Sequence, residues 1–144
     1  MKTLRKVIFT LLTLLVFPIM SWCTSVDAFA HAIAKAEWYY VKGSLPNRMH
    51  NPGDIKAHGA YIRYHTDQEG FAALRAQVQR MIEGRGLYGP SMTLSQVGRR
   101  YASTGRWALT VAKVLGISPS ATLREIFGID AGLAPEYTPA WEKI

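Results

Sequence analysis

Cysteine is almost absent from this sequence of 144 residues, which contains a single cysteine, Cys23. One cysteine cannot form an intramolecular disulfide, so the fold has to be stabilised by a hydrophobic core. A cysteine nucleophile is not expected either, because Cys23 lies at the end of an amino-terminal apolar segment. These observations exclude the small disulfide-rich scaffolds and argue against thiol chemistry.

Several motifs that identify enzyme classes are also missing. The sequence contains no G-x-S-x-G element, no P-loop and no H-E-x-x-H pair, which argues against a serine hydrolase elbow, a nucleotide-binding loop and a helical zinc site. Pro52 and Gly53 prevent the helix that would align the remaining candidates for metal ligation, which are His50, Asp54, His58 and His65. We therefore predict neither a metal site nor a cofactor.

Only one long apolar run occurs, and it lies at the amino terminus. Three basic residues precede the run, which extends from Val7 to Met20 and is followed by Ser21-Trp22-Cys23, with small residues at its first and last positions. This order is typical of a secretory signal segment. We therefore predict a signal peptide over residues 1–23 and a domain over residues 24–144 that is periplasmic or secreted.

Two alternatives to this cleavage remain open. The apolar run would be a retained membrane anchor in one of them, but it is shorter than the ~20 residues of a full span and has Pro18 near its end. Cleavage at the second small-residue site, Ala28-Phe29-Ala30, would shorten the first predicted helix. Lipid modification of Cys23 is not expected because bulky Trp22 precedes it, and we expect no stable membrane anchor after cleavage.

Positive charge is in moderate excess but is not concentrated in a block. The whole chain has 17 Lys and Arg against 10 Asp and Glu, a formal net charge of +7. Three of the basic residues lie in the signal segment, which leaves 14 against 10 in residues 24–144. Specialised nucleic-acid binding is not expected without a basic block, whereas this moderate charge suits an anionic surface such as a cell wall.

Apolar periodicity predicts a first helix from Val26 to about Tyr39, with Val26, Phe29, Ala30, Ile33 and Tyr40 on its apolar side. The stretch from Gly43 to Asp54 is rich in Gly, Pro and Asn and is predicted to be a loop. Ile55 to Tyr64 is predicted to contain a short hairpin that turns at His58-Gly59.

Capping sequences predict the remaining helices. Thr66 to Glu69, Thr93 to Gln96 and Thr122 to Glu125 have the spacing of capping boxes, and Gly116 ends a helix predicted over Arg106 to Leu115, with Trp107, Val111 and Val114 facing inward. Asp130 to Ile144 is predicted to be an irregular tail that packs Tyr137 or Trp141 onto the domain. The chain is therefore predicted to form one mainly α domain of about five helices, with a small irregular or β insert after the first.

Glu37 is the most informative polar residue in this pattern. It follows Ile33 by one helical turn and so falls on the apolar stripe of the first helix. Burial of an ionised carboxylate is costly, so its pKa is expected to rise, which would make it a general acid near neutral pH. The alternative is a Glu that simply reaches solvent from the last turn of a frayed helix.

Residues 47–56 form a second polar cluster, with the sequence Asn-Arg-Met-His-Asn-Pro-Gly-Asp-Ile-Lys. Such a segment can present backbone and side-chain groups to a sugar or a peptide. The alternative is an ordinary turn whose polar groups are satisfied by Asx hydrogen bonds. Tyr61 and either Tyr39 or Tyr40 lie close to this segment and are candidates for stacking on sugar rings.

The order of these segments resembles the lysozyme-like superfamily, especially bacterial glucosaminidases and lytic transglycosylases. In those families the catalytic Glu ends a helix, as Glu37 does here, and a Gly followed by an aliphatic residue lines the cleft, as in Gly53 to Lys56. A Tyr-Ala-Thr type of segment precedes a late helix, and Tyr101 to Thr104 is similar to it. Residues 51–55 also resemble an Asn-Pro-Gly-Asn-Ile turn, with Asp54 in place of the second amide.

The resemblance implies a lysozyme-like fold and an exported, monomeric enzyme that cleaves peptidoglycan glycan strands. It implies that Glu37 and Tyr101 are catalytic. Together with the polar cluster, it implies substrate contacts from five further residues: Asn51, Gly53, Asp54, Ile55 and Tyr61. The alternative is a non-catalytic exported module of the same fold that binds cell wall or has a structural role in a phage or a secretion apparatus.

We predict that the exported protein begins at Thr24. Signal cleavage follows a small residue, so amino-terminal sequencing of the exported material should read Thr24-Ser25-Val26. An intact Met1 terminus in a membrane fraction would show instead that the apolar segment is retained as an anchor.

Overall fold

Two stretches of the chain, residues 23–102 and 104–129, are described by the computed structural model. They contain six helices and a single two-stranded sheet, so the prediction of a mainly helical class is confirmed. Ser103, the predicted signal segment and the predicted tail with Tyr137 and Trp141 lie outside the described residues. None of the helices in these two stretches is long and apolar enough to cross a membrane.

Helix α1 extends over Val26–Ala36. Ser25 caps its first turn, since its hydroxyl accepts a hydrogen bond from the N–H of Ala28 at 3.1 Å, and Asp27 in the first turn suits the helix dipole. The helix is the centre of the core because most of one face is fully buried, with Phe29, Ala30, Ala32, Ile33 and Ala34 each 0% exposed.

The end of α1 differs from the prediction, because the helix stops at Ala36 rather than continuing to Tyr39. The N–H of Trp38 donates to the carbonyl of Lys35 at 3.2 Å, and the N–H of Tyr39 donates to that of Ala34 at 3.0 Å. This pair of bonds is a Schellman motif, which requires a left-handed residue after the cap. Trp38 takes that conformation with φ 63°. The reversal buries Tyr39 and leaves Tyr40 exposed, the opposite of the predicted apolar side.

A short helix, α2, occupies Leu45–Arg48 inside the segment that was predicted to be a loop. Ser44 caps it through its hydroxyl, and Pro46 lies in its first turn, where a missing N–H has no consequence. The hairpin prediction is confirmed: β1, Lys56–Ala57, pairs antiparallel with β2, Ala60–Tyr61. Its turn is at His58-Gly59, both with positive φ.

Helix α3 extends over Asp67–Ile82, and Thr66 caps it as predicted. The carboxylate of Glu69, however, accepts its hydrogen bond from the N–H of His65 at 3.0 Å rather than from Thr66. Leu74, Val78 and Met81 of this helix are buried, whereas Phe71 is only partly covered.

The last three helices begin at the predicted positions, and the second of them also ends where predicted. They are α4, Leu94–Tyr101, α5, Arg106–Leu115, and α6, Leu123–Phe127. Both capping boxes that precede α4 and α6 are complete, and Gly116 ends α5 in the left-handed conformation. Val114 is an exception to the predicted inward face, since it is 46% exposed.

The core lies where α1 packs against α5 and α3, and α4 packs against α5 and adds Leu94 and Val97 to the core. Gly98 of α4 allows the approach to α5, because a Cβ at this position would lie 2.9 Å from the Cβ of Ala108. The carboxyl end of α1 and the amino end of α5 are thereby brought together. Both belong to the candidate site.

We predict that glycine at position 38 is more stabilising than alanine, which reverses their order inside a helix. A left-handed backbone costs an L-residue about 1–2 kcal/mol, whereas glycine adopts it without this strain. Trp38→Gly should therefore have a free energy of unfolding about 1 kcal/mol above that of Trp38→Ala in urea titrations. Ala36→Gly, at the last residue of α1, is the control and should lose about 1 kcal/mol. A higher stability for Trp38→Ala would contradict the left-handed turn.

Candidate active site

A cleft of about 520 Å³ opens between the end of α1 and the beginning of α5. One side consists of the end of α1 and the reversal after it: Lys35, Ala36, Glu37, Trp38, Tyr40 and Val41. The other side consists of Ala102, Thr104, Arg106, Trp107 and Thr110. Trp38 and Tyr40 are 62% and 52% exposed, so aromatic surfaces are accessible to a ligand at this cleft.

Glu37 is the C-cap residue of α1 and is partly buried. Its backbone N–H donates to the carbonyl of Ile33 at 2.9 Å, so its position is fixed and not that of a frayed turn. Burial and, to a lesser extent, the negative charge of Asp54 raise the pKa of Glu37 from 4.5 to about 7. The indole of Trp107 and the ammonium of Lys56 act in the opposite direction. The expected rise in pKa is therefore found, and Glu37 holds a proton close to neutral pH.

Asp54 is the second carboxylate of the site and lies in the turn before β1. It has φ 50°, a left-handed conformation that Asp adopts more readily than most residues. Burial raises the pKa of Asp54, while Lys56 and the hydroxyl of Tyr61 lower it. Because its charge raises the pKa of Glu37, the favoured state has an ionised Asp54 and a neutral Glu37.

Tyr61 is held beside this carboxylate by its partner in the hairpin. Lys56 and Tyr61 face each other across β1 and β2, and the ammonium lies 4.4 Å from the centre of the ring. A cation at this distance is attracted to the ring face. Tyr61 remains 37% exposed, so the structure places this predicted substrate-binding residue within reach of solvent.

Asn51 is 0% exposed, and its side chain is bonded entirely to the backbone. Its Oδ1 accepts from the N–H of Ile55 at 2.9 Å, and its Nδ2 donates to the carbonyls of Ile55 at 2.9 Å and Ile62 at 2.8 Å. No part of the amide is available to a ligand. The expected contact of Asn51 with substrate is therefore replaced by a positioning role, since these bonds shape the turn that carries Asp54.

Gly53 and Ile55 also support the turn and do not line the cleft. A Cβ on Gly53 would lie 2.7 Å from Cδ1 of Leu74 and 3.1 Å from the hydroxyl of Tyr101, so a side chain has no room. Ile55 is partly buried against the core. Asp54 and Tyr61 are also absent from the cleft lining. Asp54 is nevertheless close enough to Glu37 to raise its pKa, and Tyr61 interacts with Asp54.

Tyr101, at the end of α4, joins the turn to the helices. Its hydroxyl donates to the carbonyl of Gly53 at 2.6 Å, and its ring stacks on Trp107 with 4.8 Å between centres and 24° between planes. Burial, followed by the charge of Glu37, raises its pKa well above the ordinary value, and Asp54 contributes in the same direction. Tyr101 is therefore a neutral hydroxyl close to both carboxylates.

Trp107 is a component of the site that the sequence analysis assigned to the core. The residue is 3% exposed, yet it lines the cleft. Its Nε1 is buried and has no hydrogen-bond partner of normal geometry within the described parts of the chain, although it lies near enough to Glu37 to lower the pKa of that carboxyl. Its spacing within α5 is that of a core residue, so no sequence pattern identified this donor.

Tyr40 is oriented at the cleft by a network on the exposed side of α1. Its hydroxyl is hydrogen-bonded to Nδ1 of His31. Nε2 of His31 lies 3.7 Å from one oxygen of Asp27, whose other oxygen is 2.6 Å from Arg75 of α3. The side chain of Tyr40 is therefore held in place although more than half of it is exposed.

The histidines that were considered as metal ligands do not converge. No group of three His, Cys, Asp or Glu side chains that could hold a metal ion occurs in residues 23–102 and 104–129. His50 instead pairs with Asp67 at the beginning of α3, with 2.5 Å between Nδ1 and Oδ1.

The arrangement has the parts of a site for general acid catalysis. A carboxylic acid with a pKa near the working pH both donates its proton and recovers it efficiently. Two carboxylates in unlike environments divide the acid role and the charged role between them. Glu37 meets this criterion for a proton donor, and Asp54 is the carboxylate that keeps its charge.

We predict that Glu37→Gln stabilises the protein above neutral pH. The folded state disfavours the ionised carboxylate, so the free energy of unfolding of the wild type falls as the pH rises from 4.5 through about 7. The amide does not ionise, so at about pH 8 the variant should exceed the wild type by roughly 1–2 kcal/mol, allowing for partial exposure, and match it at about pH 4. Urea titrations at the two pH values measure both differences.

Glu83→Gln is the matched control for this experiment. Gln79 and Arg85 lower the pKa of Glu83, so its contribution to stability is present above its ordinary pKa and is lost as the pH falls. The control should therefore show no gain at high pH. A Glu37→Gln variant that is less stable than the wild type at about pH 8 would mean that Glu37 is a structural ion-pair residue.

Comparison of the chain with protein-family models, curated proteins and solved structures gives no match, so its function is inferred from its sequence and the geometry of this site.

Proposed function

We propose that this chain is an exported, lysozyme-like glycosidase that cleaves the glycan strands of peptidoglycan, with Glu37 as the general acid. The observation that carries the proposal is a single one: Glu37 lines an open cleft and has a pKa of about 7, to which the nearby carboxylate Asp54 contributes. The order of the Glu-terminated helix, the Gly53 turn and Tyr101, which motivated the resemblance, agrees with it.

In the proposed reaction Glu37 transfers its proton to the glycosidic oxygen while the bond to the sugar carbon breaks. The sugar ring then carries developing positive charge, which the ionised Asp54 stabilises. The pKa of Tyr101 is raised well above the ordinary value, so its hydroxyl stays protonated near neutral pH. It acts as a neutral group that positions the sugar or the turn. No metal or other cofactor takes part in this scheme.

Two routes complete the reaction. A water molecule activated by a carboxylate, or the substrate's own acetamido group, would lead to a hydrolysed product. Attack by an intramolecular hydroxyl would give an anhydro-sugar instead, which is the outcome of a lytic transglycosylase. The two products differ by the mass of one water, so the routes are distinguished by mass analysis.

The proposed compartment and partner follow from the sequence. A signal segment would deliver a moderately basic domain to the periplasm or the medium, where the anionic cell wall is the partner of suitable charge. We propose that the domain acts as a monomer on glycan strands.

The alternative is a non-catalytic module that binds cell wall or belongs to a phage or secretion structure. The exposed rings of Trp38 and Tyr40 at the cleft favour this candidate as well, because they would bind a glycan without cleaving it. The Glu37→Gln variant separates the two candidates. An enzyme would keep glycan binding and lose cleavage, whereas a binding module would keep binding and have no cleavage to lose.

We predict that the wild type releases soluble fragments from purified peptidoglycan and that Glu37→Gln lowers the rate by about 10²–10⁴-fold. Asp54→Asn should also lower it, because it removes the charge that stabilises the transition state. Glu83→Gln removes a distant carboxylate and should retain full activity. A fully active Glu37→Gln variant would refute the role of Glu37, and a wild type that binds the wall but releases nothing would favour the binding module.

A further inference from the structure

Two basic residues line the cleft without an acidic partner. Lys35 lies in the last turn of α1 and Arg106 in the first turn of α5, and both contribute to the cleft lining. Neither forms an ion pair with any carboxylate in the described stretches of the chain. Glu37 is the only carboxylate among the described lining residues, and neither cation is among the groups that shift its pKa. Their charges are thus available to a ligand.

The amino end of α5 adds to the positive potential at the same place. This ten-residue helix begins at Arg106 after Gly105, and no side chain caps its first turn. The other long helices, α1 and α3, each have a side-chain cap. An uncapped first turn leaves backbone N–H groups and the positive end of the helix dipole facing the surroundings.

An independent sign of a missing acceptor is the indole of Trp107. The side chain is 3% exposed, and its buried Nε1 has no hydrogen-bond partner of normal geometry among the described residues. Buried donors are nearly always paired in folded proteins, so an unpaired one at the wall of a cleft points to an acceptor supplied from outside. Glu37 lies near enough for the indole to lower its pKa, so an acceptor supplied by a ligand would lie beside this carboxyl group.

We propose that this cleft is selective for a glycan that bears carboxylates, through an anion subsite formed by Lys35, Arg106 and the indole N–H of Trp107. The inference rests on the proposed function and narrows its substrate. A neutral N-acetylated glycan would use the aromatic surfaces of Trp38 and Tyr40 but would leave both cations unpaired. In peptidoglycan the lactyl ether of muramic acid, or the peptide attached to it, supplies the carboxylate.

The subsite is tested by binding to the inactive Glu37→Gln protein, which keeps ligands intact. Three probes are titrated by calorimetry: a peptide-free tetrasaccharide of alternating N-acetylglucosamine and N-acetylmuramic acid, its lactyl methyl ester, and the same tetrasaccharide carrying stem peptides. The ester has the shape of the first probe without its charge. We expect the free acid to bind at least about fivefold more tightly than the ester at low salt, with the difference reduced at high salt.

The stem-peptide probe distinguishes the two sources of carboxylate. Tighter binding of this probe than of the ester, with the free acid no better than the ester, would assign the subsite to the peptide. Tightest binding of the free acid would assign it to the lactyl group. Equal affinity of all three probes would overturn the proposal.

Single substitutions locate the effect. Lys35→Gln and Arg106→Gln, each combined with Glu37→Gln, should weaken binding of the preferred acidic probe by about threefold to tenfold and leave the ester unchanged. Lys113→Gln removes the same charge from an exposed position of α5 outside the cleft lining and should have no effect. An equal loss for Lys113→Gln would mean that the overall charge of the protein, and not a subsite, causes the preference.

The anion subsite and the glycosidase activity can be supported or refuted independently of each other. Charge-selective binding by a protein that digests no peptidoglycan would support the anion subsite and refute the glycosidase. Digestion of peptidoglycan without charge-selective binding would support the glycosidase and refute the subsite.

Discussion

Two hydrogen bonds at the end of α1 determine where the candidate acid lies. The N–H groups of Trp38 and Tyr39 donate to the carbonyls of Lys35 and Ala34 at 3.2 and 3.0 Å, which ends the helix at Ala36 and makes Glu37 its C-cap. One more helical turn would carry the chain past Glu37 without opening the cleft, and Tyr39 would lose its buried position. The reversal instead leaves Glu37 between the core and the cleft. It is desolvated enough there for a pKa of about 7 and still lines the open cleft.

The turn that carries the second carboxylate, Asp54, is held in shape by the buried side-chain amide of Asn51. The three backbone bonds of Asn51 hold the ends of the hairpin segment together, and the bond from Tyr101 to the carbonyl of Gly53 fixes the same turn against α4. Tyr101 in turn stacks on Trp107 of α5. Residues far apart in sequence thus set the pKa of Glu37 jointly, so a substitution at Asn51 would act on the acid although the amide never meets a ligand.

Features that depend on neighbouring residues could be predicted from the sequence, and those that depend on distant contacts could not. The capping residues located α4, α5 and α6, and the His58-Gly59 turn located the hairpin, because a few adjacent side chains determine each. The end of α1 was misplaced because its left-handed residue is Trp38, where glycine is the usual sign. The apolar stripe predicted the desolvation of Glu37, but the added effect of Asp54 and the unpaired indole of Trp107 arise only from tertiary packing.

Several groups at this one cleft are held in states that lower stability. Glu37 is a desolvated carboxylate, Trp38 has a left-handed backbone, and Trp107 has an unpaired buried donor. Gln at position 37 and Phe at position 107 would remove two of these costs with a similar side-chain shape, and Gly at position 38 would remove the third at a residue that is 62% exposed. The costs are therefore not required by the packing of the core. Buried polar atoms without a partner also occur on Tyr39 and Arg124, outside the cleft lining, so an unpaired donor alone does not mark a site. The coincidence of a proton donor, an exposed aromatic surface and an unpaired buried donor does, because a single ligand that accepts a proton, stacks on the rings and supplies a hydrogen-bond acceptor would engage all three.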